Sequence, residues 1–208
     1  MENLKIIKHP LISHKITMIR NRETGNKEFR ELVEELATII CYEATRDSEV
    51  SGINISTPVA ETVGDFITSK YAVVPILRAG QGMLNGILNF LPTAKVGHIG
   101  LYRDPKTLEA VEYYTKLPKD IKEREVFITD PMVATGGSAT LAISALKSHG
   151  VSKIKLLCLL SCPEGVKNIL DNHPDTIIYT TAHDIGLNDK SYIVPGLGDA
   201  GDRLYGTQ

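Results

Sequence analysis

Apolar residues change their spacing several times along this chain, and each change marks an element. From Asn26 to about Thr45, Phe29, Leu32, Val33, Leu36, Ala37 and Ile40 recur at helical intervals, with Glu31, Glu34 and Glu35 on the opposite side. That pattern predicts a long amphipathic helix whose apolar stripe packs into a core or against another subunit. Ahead of it, His9-Pro10 and the next four residues predict an extended or turning lead-in, because a residue before proline is pushed out of the helical region. Residues 53–62 alternate and then turn.

From Tyr71 onward, β-favouring runs alternate with helical spacings. Tyr71–Leu77 reads as a strand, and Pro75 within it argues for an irregular or edge position. Met83, Leu84, Ile87, Leu88 and Leu91 then mark a helix ended by Pro92. Residues 95–101 predict another strand, followed by a polar excursion at 102–105 and the aromatic pair Tyr113-Tyr114. Residues 126–129 form a short apolar strand ending at Asp130, and a helix from Ala139 carries Ala142, Ile143, Ala145 and Leu146. Gly150 follows in the place of a left-handed cap. The unbroken run Ile154–Ser161 reads as a strand buried on both faces. Pro163 opens a helix faced by Val166, Ile169 and Leu170 and ended by His173-Pro174, and residues 176–181 are β-rich again. Such alternation implies an α/β fold, a mostly parallel sheet flanked by helices. In such sheets ligands collect beyond the carboxyl ends of the strands.

Composition narrows the class without naming a function. At 208 residues and a formal net charge of -2, the chain fits one domain and has no global field to draw in nucleic acid. No apolar run reaches membrane-spanning length, and the opening Met1-Glu2-Asn3-Leu4-Lys5 lacks the apolar core of a signal peptide. Cys41, Cys158 and Cys162 are odd in number and lack metal-ligand spacing, so they read as reduced, structural thiols in a soluble cytoplasmic protein.

Three stretches carry candidate chemistry. After the strand at 126–129 come Asp130 and the small, polar turn Thr135-Gly136-Gly137-Ser138, then a helix. Unpaired N–H groups at a helix start favour an anion, glycines let the backbone come close, and the two hydroxyls add donors. No lysine follows as in a Walker loop, and no G-x-G-x-x-G is present. Taken alone, Gly-Gly-Ser fits a ligand-free turn equally well. Arg78 sits at a strand end ahead of Ala79-Gly80-Gln81-Gly82, a place to hold a second anion, although strand-end arginines are more often solvated or paired. The tail at 192–206 alternates glycines with acids and is anchored by Ile193 and Val194. It suits a tight loop whose backbone groups meet a flat ligand.

These motifs together resemble the type I phosphoribosyltransferases, and within them the uracil phosphoribosyltransferase branch. The matching runs are P-I-L-R-A-G at 75–80, G-L-Y-R-D at 100–104, T-D-P-M-V-A-T-G-G-S at 129–138 and Y-I-V-P-G-L-G-D-A-G-D-R at 192–203. The leader from Lys5 to Lys15 and the stretch I-S-T-P-V-A-E-T at 55–62 are similar too, so the likeness runs from Lys5 to Tyr205. Most type I members carry two acids before the phosphate loop. Here Pro131 follows Asp130, a departure characteristic of the uracil branch and contrary to a purine or orotate enzyme.

The resemblance implies a single phosphoribosyltransferase domain over 1–208, with a core at about 50–182, a C-terminal hood at about 183–208 and an N-terminal helical extension at 1–49. It implies transfer of phosphoribose from 5-phosphoribosyl-1-diphosphate (PRPP) to uracil, giving UMP and diphosphate in pyrimidine salvage. Asp130, Arg78 and Arg103 are the implied catalytic residues. PRPP would meet Arg78, Arg103, Asp130, Pro131, Met132, Val133, Ala134, Thr135, Gly136, Gly137, Ser138 and Asp199. Uracil would meet Ile193, Gly198, Asp199 and Ala200, largely through main chain. In such enzymes the loop after Leu77 often carries a strained peptide bond, and Mg²⁺ is held by substrate oxygens and water, with no protein ligands assigned. The family forms homodimers or larger assemblies, for which the long N-terminal helix and the 102–118 excursion are candidate contacts, and GTP activates some members. Two other classes compete: a pyrimidine-sensing RNA-binding regulator, which typically keeps two acids and needs a basic face, and a non-catalytic protein retaining the fold.

Overall fold

The computed structural model describes residues 2–103 and 110–207, with the side chains of residues 101–103 and 110–112 outside the described set. In chain order, β1 (Leu4–Ile6) leads to α1 (Pro10–Arg20) and α2 (Asn26–Ala44). A hairpin follows, β2 (Val50–Ser56) and β3 (Glu61–Ile67), then β4 (Tyr71–Leu77), a 3-10 turn at Ala79–Met83 and α3 (Leu84–Phe90). Next come β5 (Lys95–Val96), β6 (His98–Arg103), β7 (Ala110–Lys116), β8 (Glu125–Thr129), β9 (Met132–Val133) and α4 (Gly137–Ser148). The chain continues with β10 (Ile154–Ser161), α5 (Pro163–Asn172), β11 (Ile177–His183), β12 (Gly186–Leu187), β13 (Ile193–Val194) and α6 (Ala200–Tyr205).

The central sheet runs β1-β11-β10-β8-β4-β6-β7, with β5 beside β4 and β9 beside β10. Every pair in it is parallel except β6 with β7. One face packs on α1, α2, α3 and the tail, and the other on α4 and α5. β10 is buried along its whole length, as its continuous apolar run requires. The stripe of α2 is consumed within this core, where Phe29, Val33, Leu36, Ala37 and Ile40 are fully buried. A residue such as Phe29 contributes about 2–3 kcal/mol by leaving water.

Lys155, buried at the start of β10, bonds Asp47, Glu125 and the Ala44 carbonyl, tying the end of α2 to the sheet. Burial alone would lower the lysine's pKa, but the two carboxylates outweigh it and raise it.

Three expectations need correcting, and a fourth resolves to one of its two alternatives. The lead-in at His9-Pro10 is the start of a helix: Pro10 occupies the first turn, where a missing N–H costs nothing, and the His9 side chain caps it by accepting from the Leu11 N–H. Ile12, Ile16 and Ile19 give that helix its buried face. Of the two positions expected for Pro75, irregular and edge, the structure gives the irregular one, because β4 is an interior strand. Its neighbour changes from β5, paired at Ala72 and Val73, to β6, paired at Ile76 and Leu77, and Pro75 falls in that break. The helix after the Gly-Gly turn begins two residues earlier than Ala139, at Gly137. The tail is not all loop, because α6 lies within it, capped by the Asp199 side chain and closed by Gly206 at φ +69°.

Gly150 does adopt the left-handed cap, at φ +82°. Residues 53–62 fall within the β2–β3 hairpin, whose strands pair only with each other. All three cysteines are free and buried, and burial pushes the Cys41 and Cys158 thiols up to about 12. Among the described residues no helix is long and apolar enough to cross a membrane.

Candidate active site

Three segments that are far apart in sequence meet beyond the carboxyl ends of the strands. The first leaves β4. Its Leu77–Arg78 peptide bond is cis, and the chain turns back through Gly80, where a Cβ would lie 2.2 Å from the Thr129 carbonyl oxygen. The Thr129 hydroxyl donates to the Gly80 carbonyl at 2.9 Å, so this loop is clamped to the end of β8. Arg78 reaches outward. Its guanidinium lies 3.8 Å from the Asp202 carboxylate and 3.4 Å from the Thr207 hydroxyl, while the Tyr205 hydroxyl donates to its carbonyl at 3.0 Å.

The second segment leaves β8 at Asp130. This residue keeps partial exposure to the crevice, yet protein crowds its carboxylate on the other sides. That desolvation pushes its pKa up to about 6, against a weaker downward pull from the Met132 N–H, which it accepts at 3.3 Å. Pro131, Met132, Val133 and Ala134 then run along β9 to the turn. Thr135 accepts from the Gly137 N–H, and Gly136 has φ +78°. The capping residue, Gly136, offers no side-chain cap, so apart from the long contact from Gly137 to Thr135 the first-turn N–H groups of α4 lie at the positive end of the helix beside two hydroxyls. Ser138 lies within that first turn and does not occupy the capping position. The loop packs on the start of α5: a Cβ at Gly136 would lie 2.5 Å from the Gly165 carbonyl oxygen, and Asn168 donates to the Thr135 carbonyl.

The third segment is the tail. β13 pairs with β12, the Val194–Pro195 bond is cis, and Gly196 and Gly198 both have positive φ. Together the segments enclose a cavity of about 380 Å³ lined by Ala79, Met132, Ala134, Lys190, Ser191, Tyr192, Ile193, Gly198, Asp199, Ala200 and Gly201. Ile193, Gly198, Asp199 and Ala200, singled out from the sequence, therefore share one wall. Lys190 and Tyr192, which the sequence reading passed over as chemistry, join it. Asp199 is the only carboxylate on that lining, and its Oδ1 is engaged in capping α6.

A wider hollow of about 830 Å³ opens on the other side of the same loop, between Arg20, Arg22, Thr24 and Arg203. It includes no residue of the Arg78 loop or of the segment after Asp130, whereas the smaller cavity has Ala79, Met132 and Ala134 on its lining; Arg78, Asp130 and Thr135–Ser138 line neither. Arg103 ends β6, and its side chain lies outside the described residues, as does Asp104. The excursion expected at 102–118 is in part the strand β7, antiparallel to β6, with Tyr113 and Tyr114 exposed on it.

Comparison with known proteins follows this geometry closely. A family model described as uracil phosphoribosyltransferase matches residues 6–207. The chain is 56% identical to a uracil phosphoribosyltransferase of Brevibacillus brevis and 55% identical to one of Finegoldia magna, with full coverage on both sides in each case. A solved structure of an Aquifex aeolicus protein aligns with TM-score 0.93 at 37% identity, covering 99% of each chain. An adenine phosphoribosyl transferase from Trypanosoma brucei, in complex with AMP, pyrophosphate and ribose-5-phosphate, aligns with TM-score 0.61 over 96% of this chain and 89% of its own. At 12% identity that likeness shows the fold alone.

Proposed function

The chain belongs to the uracil phosphoribosyltransferase family, and we propose that it joins uracil to PRPP at the three-segment crevice, giving UMP and diphosphate. The observation that carries this reading is the meeting of the Arg78 loop, the Asp130–Ser138 loop and the glycine-rich tail around one cavity. Nothing in the comparisons supports an RNA-binding regulator.

In this reading the Thr135–Ser138 turn holds the 5′-phosphate, with the first-turn N–H groups of α4 and the two hydroxyls donating to its oxygens. Asp130 accepts from the ribose hydroxyls and sits near the positive charge that develops on the sugar as the bond to diphosphate loosens. Arg78, aided by Arg103, stabilises the leaving diphosphate; both are cationic forks that match its oxygens. To do so Arg78 must leave Asp202 and Thr207. The bond from the anomeric carbon to the diphosphate oxygen breaks, the bond to uracil N1 forms, and the N1 proton passes to water or to the released diphosphate. Asp199 is the carboxylate on the cavity lining, with its Oδ1 engaged in capping α6. Ile193, Gly198 and Ala200 read the uracil edge through backbone N–H and C=O groups.

Among the described residues no group of three or more His, Cys, Asp or Glu side chains gathers to hold a metal, and Asp130 is the lone carboxylate of the phosphate loop. That donor set fits Mg²⁺ brought in on the diphosphate and bound through substrate oxygens and water. When bound, the ion neutralises diphosphate charge. Reduced, buried thiols support a cytoplasmic setting.

Protein, uracil, PRPP and Mg²⁺ should give UMP, and GTP, an effector of some relatives, is a useful addition to the same assay. The Arg78→Ala variant is expected to raise KM for PRPP about 10- to 100-fold, the value of a lost charge-assisted contact. An unchanged KM would take Arg78 out of the diphosphate site.

We also propose a homo-oligomer built on the hairpin. Val50, Val63, Phe66 and Ile67 on β2 and β3 are each about half exposed or more, on a two-stranded arm that no other strand supports. Such an arm is marginal in water by itself, and a second copy covering it supplies the missing burial. Light scattering on the native chain should give a dimer or larger assembly, and Val63→Lys with Phe66→Glu should shift it toward monomer. A native monomer at micromolar concentration would end this reading.

A further inference from the structure

Residues 195–199 lead into the cavity wall at Gly198 and Asp199, and two arginines tie them to the N-terminal helices. Arg20 at the end of α1 grips the Asp184 carboxylate with both guanidinium nitrogens, at 2.8 and 2.5 Å, and donates to the Gly196 carbonyl at 2.8 Å. Asp184 in turn accepts from the Gly196 N–H at 3.0 Å. Arg203, on α6, is held differently. One guanidinium nitrogen donates to the carbonyls of Leu197, at 2.9 Å, and Ile19, at 2.5 Å. The other donates to the carbonyls of Asn21, at 2.7 Å, and Thr24, at 3.5 Å. The guanidinium lies over the Phe29 ring, 4.3 Å from its centroid.

Among the described residues no carboxylate pairs with Arg203. A cation whose partners are four backbone carbonyls and an aromatic face acts as a geometric brace, because the planar fork fixes the relative position of the two segments it bridges. One of those segments is the α1–α2 turn. The other is Leu197, immediately before Gly198, Asp199 and Ala200. Arg203 also follows Asp199 by one helical turn, with its own N–H donating to the Asp199 carbonyl at 3.1 Å.

We propose that Arg203 is a positioning residue for the base: acting through the Leu197 carbonyl, it sets where the Gly198–Ala200 backbone meets the pyrimidine edge. The proposal rests on the reading of the tail as the uracil site. Recognition by main chain has no side-chain rotamer to adjust, so its selectivity depends on how firmly the loop is held. A small displacement at this distance from the bond-making atoms weakens binding of the base and leaves the sugar phosphate in place. Lysine cannot substitute, because a single ammonium reaches one side of the bridge and stacks poorly on Phe29.

Steady-state kinetics on Arg203→Met and Arg203→Lys test the idea, with KM measured separately for uracil and PRPP and with cytosine as a competing base. Both variants should raise KM for uracil about tenfold or more, leave KM for PRPP within about twofold, and narrow the preference for uracil over cytosine. Should Arg203→Met fail to fold, Arg203→Lys carries the test, together with hydrogen exchange. Faster exchange confined to residues 196–200 is the expected result. Equal rises in both KM values, or an unchanged KM for uracil, would overturn the proposal. An Ala200→Val variant separates the two levels. If it leaves uracil binding untouched, the base-site reading itself fails; if it weakens uracil and the Arg203 variants do not, only the positioning role falls.

Discussion

Asparagine in place of Asp130 is expected to slow turnover by about two orders of magnitude or more while making the protein harder to unfold at pH 8. Both effects come from one carboxylate. Crowding at the end of β8 raises its pKa to about 6, so the fold disfavours the charged form that the reaction needs. The sign follows from proton counts. Between the ordinary aspartate pKa, near 4, and about 6, the native state holds a proton that the unfolded chain has released, so stability contributed by this group falls as pH rises through that window. Above about 6 the whole cost is present. The asparagine side chain bears no charge to desolvate, so the gain in melting temperature should appear at pH 8 and vanish near pH 4. In the native enzyme kcat/KM for PRPP should fall on the acid side with an apparent pKa near 6, and that limb should be missing from the variant's residual activity. An unimpaired rate would remove Asp130 from the mechanism; a thermal gain equal at both pH values would mean that its charge is not the source.

The second large effect is expected at Gly136. Its φ of +78° is the left-handed region, and a Cβ there would sit 2.5 Å from the Gly165 carbonyl oxygen. Gly165 has no room to retreat, since a Cβ on it would already lie 2.4 Å from the Ala134 carbonyl oxygen. Gly136→Ala should therefore cost about 2–4 kcal/mol of stability, from the disfavoured backbone region and the forced shift. It should also weaken PRPP binding at least tenfold by displacing the first turn of α4. Gly137→Ala makes the informative contrast. A Cβ at Gly137 meets only the Thr135 hydroxyl oxygen, 3.7 Å away, so the fold should tolerate it. Its methyl group would instead crowd an incoming phosphate. Thermal melts alongside PRPP titrations check both: loss of stability at 136 only, and loss of affinity at both positions.

Much of this architecture was legible because its signals are local. A 19-residue amphipathic stripe, an eight-residue strand that is mostly apolar and a strand-turn-helix around Gly-Gly each declare themselves within a short window. What was missed depended on context. Pro10 was read as a break, although the same residue is favoured one step later, inside the first turn of a helix. Pro75 signals an irregular or edge position, and the choice between them depends on a gap between two neighbouring strands that no local pattern reveals. Helix α6 was hidden among glycines, yet Asp199 as cap and Gly206 as stop are ordinary helix signals that could have found it. The braces from Arg20 and Arg203 span more than 160 residues of sequence, and charge alone gave no hint of them.

On the proposed reading, the base cavity takes one side from Ala79, Met132 and Ala134 and the rest from residues 190–201. During synthesis the phosphate loop therefore exists, and can be buttressed by α5, before any pyrimidine wall has left the ribosome. On that reading, a chain stopped short of Tyr192 would lack every residue assigned to the base, and would lose Ile193, Leu197, Ala200 and Leu204 from the core. Base selection, on the proposed reading, is encoded in the last stretch of the chain to be made.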